Sequence, residues 1–431
     1  MIRMSRLGAS IQCLALALVF ATAAQAQKQL TLREAESFAI QNHPRLKAAR
    51  LTAQAAGQVP IEIRSSMMPN LFSSLTGASA LDNSRIAAGG LNNPVIYDRL
   101  ATGFTVGQLL TDFGRTSKLI GSSSLHAQSQ NQFAEATRAQ VVLDVDRSYF
   151  NVLRADAVLR VAEQTVESRR VVLDQATELA NNKLKSELDV TFARVNLADA
   201  ELLRLNAQNE LRAAYAELAQ AMGERDVQEY PLAEEPMPGP LPPKPETLVP
   251  QALQERADVT ALRLERDSAT EFSKAERSLW YPSISAVTSL GIVPDHGTAL
   301  NNRYGAFGFN VNIPIFNGQL YTARRHESEL KAGASEQRLL EFSNTVSRDV
   351  MVAWLRASTA FQRIDLTGQM LDQSRQALDL AQTRYELGLS SIVELSQAQL
   401  NETAAEIASA TAKYDYQLQR SVLDYQIGLS H

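Results

Sequence analysis

Apolar residues recur every seven positions along the stretch from Arg115 to Ala180. The positions that carry this repeat are Val145, Val152, Leu159, Val166, Leu173 and Ala180. A strict heptad is typical of the seam of a left-handed coiled coil. The residues three positions after the first five are mostly small: Ser148, Ala155, Ala162, Arg169 and Ala176. Because no proline interrupts this stretch, it predicts one helix roughly 100 Å long at about 1.5 Å per residue.

The same pattern returns later in the chain at a constant spacing, in which Val145 corresponds to Val350 and Ala180 to Tyr385. The match continues through the following turn, where Leu188-Asp189-Val190 corresponds to Val393-Glu394-Leu395. A fixed internal spacing is the signature of a duplicated chain. We therefore predict a signal peptide at 1–26, a first repeat at 27–230, a proline-rich connector at 231–246 and a second repeat at 247–431.

The first 26 residues have the three parts of a secretory signal peptide. Arg3 and Arg6 supply the charged start, Leu14–Phe20 the apolar core, and Ala24-Gln25-Ala26 the cleavage site. A retained anchor is the alternative, but the apolar core is too short to span a bilayer. The only cysteine, Cys13, follows a glutamine rather than the small residue of a lipoprotein signal, so no lipid anchor is expected.

Two β-like segments follow the helix-stopping dipeptides Met68-Pro69 and Tyr281-Pro282. They are predicted at 70–78 and 101–110 in the first repeat, and at 283–293 and 304–315 in the second. The last segment alternates, with Phe307, Phe309, Val311, Ile313 and Ile315 on one face. Both an outer-membrane strand and a half-buried soluble strand show such alternation. Four strands cannot close a membrane barrel, so in a membrane several copies would have to share one.

Charge and motifs exclude several classes of function. The chain has 42 basic and 47 acidic residues and a formal net charge of -5, with no clustered basic face of the kind that binds nucleic acid. The five histidines lack the spacing of a metal site, so no metal is expected. Neither a phosphate-binding glycine loop nor a hydrolase motif is present. The sequence therefore predicts a protein that is not an enzyme and holds no cofactor.

The turns that end the two coils are the best candidates for a functional site. Leu184 and Leu389 occupy equivalent places in them and are predicted to be exposed, which indicates a docking surface. Gly388 can adopt a positive φ, and Ser186 or Ser390 can cap the returning helix.

These parts together resemble the TolC family of outer membrane factors. The resemblance covers the chain after the signal and includes Leu109–Arg115 and Ile313–Gly318, which lead from strand into long helix, and Arg384-Tyr385 followed by Gly388 and Ser391. It implies a mainly α-helical homotrimer with a β-barrel part. Four strands from each copy would form a twelve-stranded barrel in the outer membrane, and the long helices a tunnel through the periplasm.

The resemblance also implies a role and partners. Such proteins are passive exit ducts of tripartite efflux or type I secretion systems, recruited by an inner-membrane pump through a periplasmic adaptor. Leu184, Gly388, Leu389 and Ser390 would face the adaptor.

At the periplasmic gate, Tyr385 would bond Asp189, and Glu394 would form the innermost acidic ring. The chain departs from the family at Ser390, where an arginine latch is expected, and at Gln397, where a second acidic ring is expected. These departures predict a weaker latch and a less cation-selective constriction.

Two other classes of protein fit parts of the pattern. A periplasmic coiled-coil adaptor or surface structural protein would keep the heptads and the signal, but it has no use for two pairs of strands. A secreted enzyme would need a catalytic constellation, and none emerges from the sequence.

Overall fold

The computed structural model describes residues 29–79, 81, 99–242, 244–296 and 301–429. The predicted signal peptide with Cys13, and most of the loop between the first two strands, lie outside the described residues. The helices are α1 (Leu32–Asn42), α2 (Pro44–Ala56), α3 (Val59–Ser65), α4 (Arg115–Asn181), α5 (Glu187–Met222), α6 (Leu248–Glu255), α7 (Ala257–Arg277), α8 (Leu320–Glu386) and α9 (Ile392–Gln426). The strands are β1 (Asn70–Ala78), β2 (Arg99–Thr111), β3 (Ser283–His296) and β4 (Arg303–Asn312).

The described residues divide into two compact units. Unit 1 draws on Met1–Pro44, Arg138–Glu246 and Val350–His431, and therefore holds α1, α5, α9 and the C-terminal parts of α4 and α8. Unit 2 draws on Arg45–Thr137 and Thr247–Asp349 and holds the four strands and the remaining helices.

The predicted duplication is visible in the helices. α4 and α8 each contain 67 residues, and the helices that follow them contain 36 and 35. In unit 1 the predicted seam is buried at Val145, Val152, Val166, Val350 and Ala357. Small side chains bring the helices of one coil together, as where Ala176 of α4 packs with Val190 and Ala193 of α5. The heptad prediction is confirmed for this unit.

Helix α1 begins with a capping box formed by Thr31 and Glu34. The Thr31 hydroxyl accepts a hydrogen bond from the Glu34 amide, while the Glu34 carboxylate accepts one from the Thr31 amide. Ala35 and Ala39 are fully buried in the cluster that contains Val145 and Tyr149. The small side chains of α1 thus let it pack against α5 as well as α4.

The proline-rich connector is held by side-chain donors from the long helices. The Tyr149 hydroxyl donates to the carbonyls of Leu30, at 2.8 Å, and Ala233, at 2.7 Å. Further donors are Gln417 to Glu235 O, Tyr416 to Gly239 O and Trp354 to Pro242 O. Proline has no N–H and cannot join a ladder as a donor, so the connector is bound mainly through its carbonyls.

The four strands of unit 2 form one antiparallel sheet in the order β1-β2-β3-β4. Its register sets Ser73 opposite Phe104, Phe104 opposite Leu290, and Leu290 opposite Gly305. β1 matches its predicted bounds, but β3 continues to His296, through residues that we predicted as a loop. β4 ends at Asn312, so Ile313 and Ile315 lie beyond it, contrary to the prediction.

The sheet has one apolar and one polar face. Alternation and register place these larger apolar residues on one face: Leu71, Leu75, Phe104, Val106, Leu290, Ile292, Phe307, Phe309 and Val311. The other face is mainly small or polar, apart from Phe72, Leu109, Val287 and Tyr304, and on it the hydroxyls of Thr105 and Ser289 lie 3.0 Å apart. Most of the large apolar side chains are exposed in the single chain. The alternation predicted for Phe307, Phe309 and Val311 is confirmed.

Within unit 2, α7 packs along the start of α4 through serine hydroxyls. Ser129 Oγ donates to Ala261 O at 2.8 Å, and Ser122 Oγ donates to Ser268 O at 2.9 Å. Short side chains at these positions let the two helix backbones approach closely. Among the described helices, none combines the length and the apolar character needed to cross a bilayer.

Candidate docking and gating site

The two coil-ending turns have the same backbone conformation. Lys183 and Gly388, which are equivalent in the two repeats, both have positive φ, at 62° and 73°. In each turn the next amide, that of Leu184 or Leu389, donates back to a carbonyl five residues earlier at 2.8 Å. This pattern is the Schellman motif that ends a helix with a left-handed residue. The positive φ predicted for Gly388 is confirmed.

Serines cap the helices that return from the turns. Ser186 Oγ accepts from the Asp189 amide, and the Asp189 carboxylate accepts from the Ser186 amide and hydroxyl. In the second turn the cap is Ser391, which accepts from the Glu394 amide. The prediction of Ser390 as an alternative cap was wrong, because Ser390 corresponds to Lys185 and Ser391 to Ser186.

The exposed leucines are present in both turns. Leu184 is 70% exposed and Leu389 is 68% exposed. Both directly follow the left-handed residue that ends the preceding helix. The predicted exposure is confirmed, and the turns present matching apolar side chains at the ends of the two coils.

Tyr385 is buried where the two repeats meet. It packs in an apolar cluster with Ile392 and Leu395, lined further by Val172 of the first repeat. Its hydroxyl has no hydrogen-bond partner, and the predicted bond to Asp189 is not formed because that carboxylate caps α5 instead. Burial, and then the charge of Asp189, raise the pKa of Tyr385.

Lys185 joins the two turns through a contact that the sequence did not predict. Its ammonium group donates to the Tyr385 carbonyl at 2.9 Å and lies 3.8 Å from the centre of the Tyr385 ring. A cation over an aromatic face is attracted by the ring quadrupole. The signal available in the sequence was the position of this lysine between Leu184 and Ser186, which were both candidates. Spacing along the chain alone does not reveal its contact with Tyr385.

Glu394, the predicted innermost acidic residue, is exposed and lies beside a basic residue. Its carboxylate is 3.2 Å from Arg384 Nε. The Ser390 hydroxyl is buried without a hydrogen-bond partner. The structure therefore brings Tyr385 and Lys185 into contact and pairs Glu394 within its own repeat.

The buried side chain of Arg169 connects helices α4 and α9. The Arg169 guanidinium of α4 donates to Gln399 O at 2.9 Å and to Thr403 Oγ1 at 3.1 Å, both on α9. Burial lowers the pKa of this guanidinium. On the same part of α9, burial and the neighbouring Glu406 raise the pKa of Glu402 to about 7, while Glu406 pairs with Arg375 at 2.9 Å. Arg169, the one large residue among the predicted small positions, thus links the two repeats.

Comparison with known proteins identifies the family. A model of the outer membrane efflux protein family matches residues 35–224 and 248–428, which is most of the chain. The chain belongs to the outer membrane efflux protein family. This match confirms the resemblance drawn from the sequence. It also confirms the predicted location of the chain in the outer membrane.

Relatives within the family are distant but cover most of the chain. Outer membrane protein TolC of Salmonella enteritidis is 22% identical over 420 residues, covering 95% of this chain and 83% of the relative. Outer membrane protein OprJ of Pseudomonas aeruginosa is 24% identical over 394 residues, covering 88% of this chain and 79% of the relative.

Two solved structures share the fold of this chain. A membrane protein of Pseudomonas aeruginosa matches with a TM-score of 0.79 at 21% identity, over 92% of this chain and 93% of that one. The channel CusC matches with a TM-score of 0.79 at 20% identity, over 92% of both chains. The fold predicted from the sequence is therefore that of solved outer membrane channels.

Proposed function

We propose that three copies of this chain form an outer-membrane channel that acts as the passive exit duct of a tripartite efflux or type I secretion system. The observation that carries the proposal is the four-stranded sheet with one apolar face, in a chain that belongs to the outer membrane efflux protein family. An inner-membrane pump would supply the energy and the selectivity, and a periplasmic adaptor would connect the pump to this duct.

The sheet supports the sharing of one barrel among copies. β1 and β4 are its edge strands, and within the described residues neither pairs with a second neighbour. In a bilayer each unpaired backbone group costs several kcal/mol, so open edges have to be joined to other strands. Three copies would supply twelve strands. The apolar face would meet lipid, and the small and polar face would line the water-filled bore.

The oligomer and its location test this proposal directly. The protein should be found in outer-membrane fractions as a trimer that dissociates on heating before gel electrophoresis. Measuring the mass of the detergent-solubilised protein by light scattering checks the number of copies. A monomer recovered from the soluble periplasm would favour the coiled-coil adaptor alternative and end the channel proposal.

The paired turns are proposed as the adaptor-facing surface. Leu184 and Leu389 are exposed at equivalent places, and Gly388 and Ser390 lie beside Leu389. A photoreactive residue at Leu389 should crosslink a periplasmic adaptor in cells. The same residue at Leu355, an exposed leucine within α8, is the matched control and should not. Equal yields from the two positions would remove the turns from the adaptor surface.

The contact between Lys185 and Tyr385 is proposed as the gate latch. Opening requires the turn of one repeat to leave the coil end of the other, and this contact joins them. Lys185→Met should raise single-channel conductance in planar bilayers. Lys183→Met is the control. Tyr385→Phe should leave conductance unchanged, because the hydroxyl has no partner. A conductance that rises with Tyr385→Phe and not with Lys185→Met would restore the predicted Tyr385–Asp189 latch.

Glu394 is proposed to form the innermost acidic ring of the bore. Three copies of an exposed carboxylate would bind a trivalent cation and block the current. Arg384 lies 3.2 Å away and offsets part of that charge. Glu394→Gln should abolish block by trivalent cations, and Arg384→Gln should strengthen it. Block that persists in Glu394→Gln would place the ring elsewhere.

A further inference from the structure

The charged residues of the four described strands lie at one end of the sheet. Helices α4 and α8 begin just after β2 and β4 end, so the opposite end, which we call the distal end, carries the starts of β2 and β4. Their first residues are Arg99 and Arg303. Apart from one histidine, the only other charged residue in the strands is Asp295, near the end of β3. The sheet is therefore uncharged along most of its length and has an excess of positive charge at its distal end.

A cavity of about 510 Å³ opens at the distal end, and we call it the distal groove. Alternation and register place four of its lining residues, Thr76, Arg99, Ala101 and Tyr304, on the polar face of the sheet. Arg303 also lines the groove, although alternation starts this first residue of β4 on the apolar face. Among the described residues that line the groove, none is acidic. The groove is thus a basic concavity on the polar face.

The Tyr304 side chain is held in the groove by two glycines. A Cβ atom on Gly103 would overlap the Tyr304 hydroxyl, and a Cβ atom on Gly291 would overlap its ring. Gly103 is buried, and Gly291 is the direct partner of Tyr304 between β3 and β4. The Tyr304 hydroxyl makes no hydrogen bond to the residues that the structure describes. The tyrosine is therefore fixed against the sheet, with a hydroxyl that can donate to a ligand.

The two arginines also have unused donors. Arg99 is half-buried and Arg303 is exposed, and neither has an acidic partner within the described ranges. Asp295 pairs with Leu100, so alternation places it on the apolar face, away from the groove. A guanidinium group donates two parallel hydrogen bonds to a phosphate or a sulfate, and it stays charged at any physiological pH. The groove therefore has the donors and the charge that a multivalent oxyanion requires.

We propose that the distal groove binds phosphate- or sulfate-bearing anions at the outer mouth of the channel. The groove itself belongs to one chain. Its place at the outer mouth rests on the proposed function, in which the polar face lines the bore and the helices lie in the periplasm. Three copies would give the mouth three basic grooves, opposite in charge to the ring proposed for Glu394. The ligand would be a solute in the bore, because lipid meets the apolar face.

Calorimetric titration of the detergent-solubilised full chain with inorganic pyrophosphate tests the groove. The parent should bind, and added salt should weaken the binding. Arg99→Gln removes charge-assisted hydrogen bonds and should weaken binding at least about tenfold. Arg64→Gln changes an exposed arginine on α3 of the same unit and should bind like the parent. A parent that binds no pyrophosphate, or an Arg99→Gln variant that binds it equally well, would overturn the proposal.

Two further variants test which face of the sheet holds the anion. Tyr304→Phe keeps the ring over the glycines and removes one neutral donor, so it should weaken pyrophosphate binding by about two- to tenfold. Arg303→Gln should weaken binding together with Arg99→Gln. A loss confined to Arg303→Gln would place the anion on the apolar face, where lipid headgroups lie, and would overturn the assignment to the bore.

The results separate the distal groove from the channel. Because every lining residue belongs to one chain, the titration does not require a trimer or a current. A protein that conducts in planar bilayers but binds no pyrophosphate would end the groove and leave the channel. A protein that binds pyrophosphate through Arg99 but never conducts would keep the groove and end the channel.

Discussion

The buried carboxyl group of Asp146 links the stability of the folded protein to pH. It is buried on α4, with one carboxylate oxygen unpaired, in a small cavity shared with Glu36 of α1 and with Ser421 and Asp424 of α9. Burial, and then the charge of Glu36, raise the pKa of Asp146 from 3.8 to about 8. The folded protein thus holds a proton that the unfolded chain has released.

That proton gives a pH dependence with a defined sign. Between about pH 4 and pH 8 the folded state binds more protons, so the free energy of unfolding falls as pH rises. Asp146→Asn keeps the shape and removes the ionisation. Between pH 5 and pH 9 the free energy of unfolding should fall less in Asp146→Asn than in the parent. The difference between the two falls should exceed about 1 kcal/mol. Thermal unfolding in detergent at the two pH values measures this, with the exposed Asp199→Asn as control. Parallel losses in Asp146→Asn and the parent would show that Asp146 ionises freely.

The sequence predicts side-chain contacts between residues close together in the chain, but it does not predict contacts that depend on how the helices pack. The Thr31 and Glu34 capping box needs only two side chains at a fixed spacing, and that spacing can be read directly from the sequence. The resemblance assigned Asp189 as the hydrogen-bond partner of the Tyr385 hydroxyl. In the structure the Asp189 carboxylate accepts from Ser186, three residues earlier in its own turn, and the Tyr385 hydroxyl has no partner. Competition for one carboxylate is a property of the packed structure.

For helices and strands, the internal repeat predicts more than propensity does. It correctly matches Lys183 with Gly388, although only the glycine suits a positive φ. It also matches Ser186 with Ser391, and following it would have avoided the wrong cap at Ser390. Strand ends were harder, because β3 is extended by pairing with β2 through Asp295 and His296, in a segment whose residues favour a turn.

The two turns offer a matched exchange of residues. Lys183 adopts a left-handed conformation that costs a non-glycine residue about 1 kcal/mol, whereas Gly388 adopts it without strain. Lys183→Gly should stabilise the protein by about 0.5 kcal/mol, and Gly388→Lys should destabilise it by about 1 kcal/mol. An added Cβ at Gly388 meets no atom within 4 Å, so the loss would come from the backbone alone. Denaturant unfolding of the two variants checks the signs, and a stabilising Gly388→Lys would refute the explanation.

The sheet makes a prediction about its two faces. Phe309 and Asn310 are neighbours on β4 that point to opposite faces. A lysine facing lipid near the bilayer midplane costs about 2–4 kcal/mol, whereas a lysine facing water costs little. Phe309→Lys should therefore sharply lower the amount of protein assembled in the outer membrane, and Asn310→Lys should not. Quantifying the protein in membrane fractions compares the two, and equal amounts would contradict the assignment of the apolar face to lipid.

The assembled protein is defined by what the sheet of one chain lacks. Within the described residues, the sheet has two edge strands without a second neighbour. Further copies of the same chain would supply the missing neighbours. The heptads and strands were sufficient to predict the fold of one chain and the need for copies, whereas the contact of Lys185 with Tyr385 required the packed structure.

The current through the purified protein in a planar lipid bilayer shows whether the assembled protein encloses a water-filled bore. A shared barrel with a polar inner face should give discrete conductance steps, each produced by one trimer. Protein that is shown to have inserted in the bilayer, yet carries no current in the parent and in Lys185→Met, would contradict the existence of a water-filled bore.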